Sequence, residues 1–130
     1  MAVVVFHLHG ESFARRYQVA SQALVAAASA DEVRVVLWFD GLARWVRGTF
    51  DEPSPGEDAL VARRHQELGL PPPSRMLAEA RELGARLWAC ETGVRLAGLS
   101  PGEARDAVDE VPGLGELIAV QREAAYVLYV

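Results

Sequence analysis

The chain has 130 residues, 51% of them hydrophobic and 24% charged, which is enough apolar material to close one domain core without disulfides or metals. A net charge of −5 lacks the basic footprint of a nucleic-acid binder, and no run of about 20 apolar residues offers a membrane span. All 13 basic residues are arginine, so lysine-dependent Walker phosphate loops and Schiff-base chemistry drop out, and one cysteine with three histidines is too few for a four-ligand thiolate zinc finger.

Ala2 to His9 is a β-branched run ended by Gly10. Its continuous apolar character predicts a strand buried on both faces, as in a parallel sheet. Ser12 is the N-cap of a predicted helix reaching about Ala30, with Phe13, Tyr17, Ala20, Leu24 and Ala27 as its apolar stripe and Arg15, Arg16, Gln18 and Gln22 mostly on the other faces. Val33 to Phe39 predicts a second strand stopping at Asp40-Gly41, followed by a short helical turn that puts Leu42, Trp45 and Val46 on one side. Between Thr49 and Pro73 the pattern weakens to a loop (Asp51 to Gly56), a helix (Glu57 to Leu68) and a Gly-Pro breaker (Gly69 to Pro73), an excursion or lid in which His65 is expected to be solvated.

Ser74 is expected to cap a helix to Leu83, stopped by Gly84, before a short strand, Arg86 to Ala89, with Cys90 at its end. Ser100-Pro101-Gly102-Glu103 combines an N-cap, a first-turn proline and a Glu three residues on, the signature of a capping box. Pro112-Gly113 breaks the chain, a short helix runs around Leu114 to Val120, and Ala124 to Val130 closes as a strand. This alternation predicts one α/β domain over residues 1–130, a three-layer αβα sandwich on a mostly parallel, doubly wound sheet of about five strands.

In such a sheet ligands bind beyond the carboxyl ends of the strands. That rim gathers His9, Gly10, Asp40, Gly41, Cys90, Glu91 and Thr92 as candidate pocket residues. Cys90 reads either as a small buried hydrophobe or as a thiolate favoured by a following helical turn, with Glu91 opposing that charge and Arg44 or Arg95 able to offset it. His7 and His9 share one strand face. A metal reading would need Cys90 or Asp40 as a further ligand, and we favour instead a packed His7 and a His9 bonded to loop backbone. Asp40 and Gly41 also read as a strand end and tight bend. Trp38, Trp45 and Trp88 are assigned to core or subunit interface. The first loop, Gly10 to Ala14, has neither the dinucleotide fingerprint nor a Ser/Thr-rich phosphate cradle, so no nucleotide or flavin cofactor is expected. A single cysteine, and no basic leader in Met1 to Phe6, point to the cytoplasm.

The apolar first strand with its alanine-rich helix, the Phe39-Asp40-Gly41 strand end, the Leu77-to-Arg86 passage into Ala89-Cys90 and the Gly98-Leu99 step together resemble the DsrE/DsrF/TusD-like family of sulfur-relay proteins. The resemblance implies a flavodoxin-like or Rossmann-like subunit in trimers, hexamers or hetero-oligomers with related subunits. It also implies that Cys90 accepts sulfane sulfur from a donor protein as a persulfide and passes it to an acceptor protein, with no metal or organic cofactor. Two functions therefore compete on the same residues: persulfide carriage on Cys90, and non-catalytic small-ligand binding by an oligomer in which Cys90 is packed.

Overall fold

The computed structural model describes residues 2–130. Its elements run β1 (Val3–Leu8), α1 (Phe13–Ala28), β2 (Glu32–Leu37), α2 (Phe39–Arg47), α3 (Glu57–Glu67), α4 (Pro73–Glu82), β3 (Arg86–Ala89), α5 (Glu91–Leu96), α6 (Pro101–Ala107), α7 (Leu114–Glu123) and β4 (Tyr126–Tyr129). The strands pair in parallel in the order β3-β2-β1-β4. The chain winds outward from β1 to β3, then crosses back to place β4 on the far side of β1. Because parallel crossovers are right-handed, that reversal sends α1 and α4 to one face of the sheet and α7 to the other.

Alternation along β1 follows from this burial on both sides. Val4, Phe6 and Leu8 join Val33, Val35 and Leu37 in the larger core, with Ala20, Ala23, Leu77 and Ala80 from α1 and α4. Val5, Val36 and Trp88 face Leu117 of α7 in a smaller one. The sheet has four strands rather than about five. The place beyond β3 holds a single parallel bridge between Trp88 and Glu110, where Ala89 N–H donates to the Glu110 carbonyl. Pro112, with no N–H to offer, follows within two residues and cannot extend the ladder.

Ser12 caps α1 by accepting from Arg15 N–H, and Ser100 with Glu103 forms both halves of the capping box on α6. The face of α1 turned to the sheet is carried by Val19, Ala20, Ala23 and Ala26, while Tyr17 and Leu24 pack at its margin. Arg16, expected on an outer face, is fully buried. Its Nε donates to Phe50 O at 2.8 Å, Nη1 to Gly10 O at 2.6 Å and Nη2 to Glu52 O at 2.6 Å, which is why a charge can lie in the core here. Burial and then the Arg44 charge lower its pKa, opposed by Asp40, Asp58 and Asp51.

The excursion after α2 is packed into the core through Phe50, edge-on to Trp45 at 5.3 Å, and is otherwise tied down by polar side chains. Helix α3 buries no residue. Asp58 accepts from the N–H groups of Phe13, Ala14 and Ser54, joining α3 to the N-terminus of α1. His65, expected to be solvated, is half-buried: its Nε2 makes an exposed bond with Pro71 O at 2.8 Å and its ring meets Phe13 and Tyr17 edge-on at 5.0 and 5.3 Å. Ser74 is not the cap of α4, which begins at Pro73 with Pro72 at its N-cap; the Ser74 amide and hydroxyl are bound to Asp51 instead. Among the described residues no helix is long and apolar enough to cross a membrane.

Replacing Arg16 by Met leaves three carbonyls without their donor and should lower unfolding stability by about 2–4 kcal/mol in urea titrations, whereas Arg15→Met should stay within about 0.5 kcal/mol. Acid should act through Asp58 and Asp109. Burial presses both carboxyls upward, but backbone N–H donors to Asp58 and the Arg81 guanidinium on Asp109 outweigh it and hold both below the ordinary 3.8. Carboxyls lowered in the fold contribute stability that is full above that ordinary value and is lost as pH falls through the folded one. Denaturant midpoints measured from neutral pH downward should therefore decline more shallowly in Asp58→Asn and Asp109→Asn than in the parent.

Candidate functional site

The site begins where β1 and β2 end. Gly10 has φ +75°, and a Cβ there would stand 2.8 Å from Gly41 Cα; a Cβ on Gly41 would stand 3.0 Å from His9 O. Two backbones thus touch at the rim, and glycine is required on both sides of the contact. Gly41 lies in α2 and serves close approach, not a tight bend. Asp40 is likewise helical and caps nothing, since Trp38 holds the N-cap position. Its carboxylate takes Arg44 Nε at 2.7 Å and lies 3.8 Å from Arg16 Nη1, so its charge is spent within the rim.

Between Trp38 and Gly41 the backbone is strained. Phe39 has φ +44°, a conformation that bulky L residues avoid. Trp38 N–H bonded to Leu8 O at 3.0 Å and Gly41 N–H bonded to His9 O at 2.7 Å hold it from either side. The strain turns the Phe39 ring outward, edge-on to His9 at 5.6 Å. Such over-determined strain concentrates at functional sites.

Beside Phe39 is a cavity of about 270 Å³. It lies at the switch point, where the chain leaves β1 in one direction and returns as β4 from the other, the crevice in which open α/β sheets bind ligands. Strand ends supply His7, His9, Trp38 and Tyr129, and α7 supplies Leu114, Leu117, Ile118 and Gln121. His7 is buried, stacked on Tyr129 with ring centroids 4.5 Å apart and planes 5° from parallel. Trp38 Nε1–H donates to His7 Nδ1 at 2.9 Å, and His7 Nε2 meets Gln121 Oε1 at 2.6 Å. Burial lowers the His7 pKa below 6.5; the Gln121 bond raises it in part and the His9 charge lowers it further. His7 is therefore neutral, with Nδ1 an acceptor and Nε2–H a donor.

The sequence-predicted residues thus divide into two groups. His7 and His9 share the cavity, and Gly10, Asp40 and Gly41 build the rim beneath it. Cys90 is 2% exposed at the N-cap of α5, on the far side of Trp38, whose ring lies 3.1 Å from where a Gly93 Cβ would stand. Arg44, a candidate to support its thiolate, is committed to Asp40, Thr49 O and Glu52 O. Glu91 and Thr92 are exposed, and Glu91 lines a separate cleft of about 170 Å³ with Arg95 and Arg105. Among the described residues no three His, Cys, Asp or Glu side chains gather as metal ligands, and both His7 nitrogens are already engaged. Trp38, expected in core or interface, packs against the smaller core and also lines the cavity, while Gln121 and Tyr129 were not among the expected site residues. The last strand and last helix carry them, and only the strand order brings those elements to β1.

No protein-family model matches the chain, and no curated protein matches it. A solved structure does, that of a protein of unknown function, MTH1491 from Methanobacterium thermoautotrophicum, with TM-score 0.65 and 18% identity over 100% of both chains. At that identity the likeness is one of fold, and it agrees with the three-layer αβα arrangement around a parallel sheet.

Proposed function

We propose that the protein is a non-catalytic, oligomeric small-ligand-binding protein whose ligand sits between β1, β4 and α7, with Cys90 a packed core residue. The observation that carries this reading is the convergence of His7, His9, Trp38, Phe39 and Tyr129 on one apolar cavity at the switch point. The exposed residues around its mouth are large and apolar: Phe39, Leu114, Ile118 and Tyr129. Strand β4 adds a reason for self-association. It is an edge strand with the sequence Tyr-Val-Leu-Tyr, carrying neither the charge nor the proline that usually blocks edge pairing. A lone thiol suits a reducing compartment, in keeping with the cytoplasm.

Persulfide carriage on Cys90, as the DsrE-like resemblance implies, is the second reading. It is favoured by the place of Cys90 at the carboxyl end of β3 and the N-cap of α5, and it requires α5 to open before a donor reaches sulfur.

Native protein should react with a thiol reagent at Cys90 only as fast as it unfolds, and incubation with a persulfide donor should leave its intact mass unchanged. Rapid labelling, with a one-sulfur mass gain absent from Cys90→Ser, would replace ligand binding by sulfur carriage. A panel of small flat aromatic fragments, followed by ligand-observed NMR, should give binders that Ile118→Arg at the cavity mouth displaces without changing the melting temperature.

The pH dependence follows from His7. A histidine whose folded pKa is lowered contributes stability that is full above the ordinary 6.5 and is lost as pH falls from there through the folded value. Protonation would also set an Nδ1–H against the Trp38 N–H. Trp fluorescence and fragment affinity should therefore change together below pH 6.5, and the common transition should be absent from His7→Phe.

A further inference from the structure

Resting on that ligand-binding reading, we propose that the cavity selects an uncharged flat ring bearing a hydrogen-bond acceptor, and that the Gln121 amide N–H is the group that reads it. The Trp38 indole nitrogen can only donate. Its bond to His7 Nδ1 at 2.9 Å makes that nitrogen the acceptor. The neutral imidazole must then carry its proton on Nε2, which faces the Gln121 side-chain oxygen at 2.6 Å. A turned-over amide would set N–H against N–H, so His7 fixes Gln121 with its oxygen occupied and its NH₂ free. No side chain or carbonyl among the described residues takes that NH₂, and Gln121 lines the cavity. Thus Trp38 and His7 are positioning residues, and the donor they orient is the one that meets the ligand.

The rest of the lining narrows the class. Among the described residues no carboxylate or guanidinium borders the cavity, and beside its apolar walls the polar groups are the His7 and His9 imidazoles, the Trp38 indole, the Tyr129 hydroxyl and the Gln121 amide, a lining suited to an uncharged ligand. Its walls are the stacked His7–Tyr129 pair, Trp38, and the aliphatic side chains of Leu117 and Ile118. A slot with such walls, about 270 Å³ in volume, takes a one- or two-ring molecule face-on. An acceptor on that ring completes the open valence of Gln121, while a ring bearing only a donor opposes it.

Three probes of similar size separate the possibilities at neutral pH: quinoline with an acceptor nitrogen, indole with a donor N–H, and naphthalene with neither. Chemical-shift titration of the intact protein should give quinoline the tightest binding, by about 3- to 10-fold over naphthalene, the yield of one hydrogen bond. Indole should be no tighter than naphthalene. Gln121→Leu should abolish the preference while keeping naphthalene binding. His7→Phe, which preserves the ring stack but frees the amide to turn, should bring quinoline and indole together. Equal binding of all three probes, or a quinoline preference that survives Gln121→Leu, would overturn the assignment of Gln121 and leave the ligand-binding reading in place. Absence of binding by any probe would overturn both.

Discussion

A guanidinium with no exposed surface sets the terms for the rest of this molecule. Arg16 reaches from the second turn of α1 to three carbonyls, on the β1–α1 loop and the segment after α2, with the Asp40 carboxylate beside it. Those segments are irregular and would otherwise bury backbone acceptors without donors. Held by one cation, they form the floor on which Gly10 and Gly41 touch. The strained Phe39 peptide is placed by that contact, and the position of Phe39 shapes the cavity mouth. The charge thus organises a site it does not line.

The second constraint is topological. Reversal of the winding direction after β3 delivers α7 alone to the second face of the sheet, where one ten-residue helix stands opposite the two-helix layer of α1 and α4. A single helix cannot cover four strands. Arg34 instead lies over the Trp88 ring at 5.4 Å, at the end of the face away from the cavity. At the other end the shortfall is the cavity itself, bounded by His7 and Tyr129 because those are the paired positions of β1 and β4 at their carboxyl ends. The opening is therefore a product of unequal layers as much as of particular side chains.

Much of the fold was legible in the chain. A continuous apolar run marked β1, shorter apolar-rich stretches marked β2 and β3, the Ser100 to Glu103 box marked the start of α6, and Gly84 marked the end of α4. What the sequence could not disclose was every feature set by contacts far apart in the chain. Arg16 sits beside Arg15 and has the same local signal, yet only the one aimed at Gly10, Phe50 and Glu52 is buried. His65 looked like any polar helix residue until α1 supplied Phe13 and Tyr17. At the site, His9, Asp40 and Cys90 were found from the rule of strand ends, but that rule is blind to strand order. With β2 standing between β1 and β3, Cys90 falls behind Trp38, and Gln121 and Tyr129 take the places beside His7.

Helix α3 carries a different consequence. An eleven-residue helix without one buried side chain exerts almost no volume constraint on its own sequence. Only Asp58 and His65 anchor it by bonds to other segments, and they lie two turns apart on the same helix. Across descendants of this chain, substitutions should therefore accumulate in α3 faster than in α1 or α4, sparing those two positions. Surface variation would then be concentrated on one side of the molecule, where a lineage can change what it displays to its surroundings without disturbing the sheet.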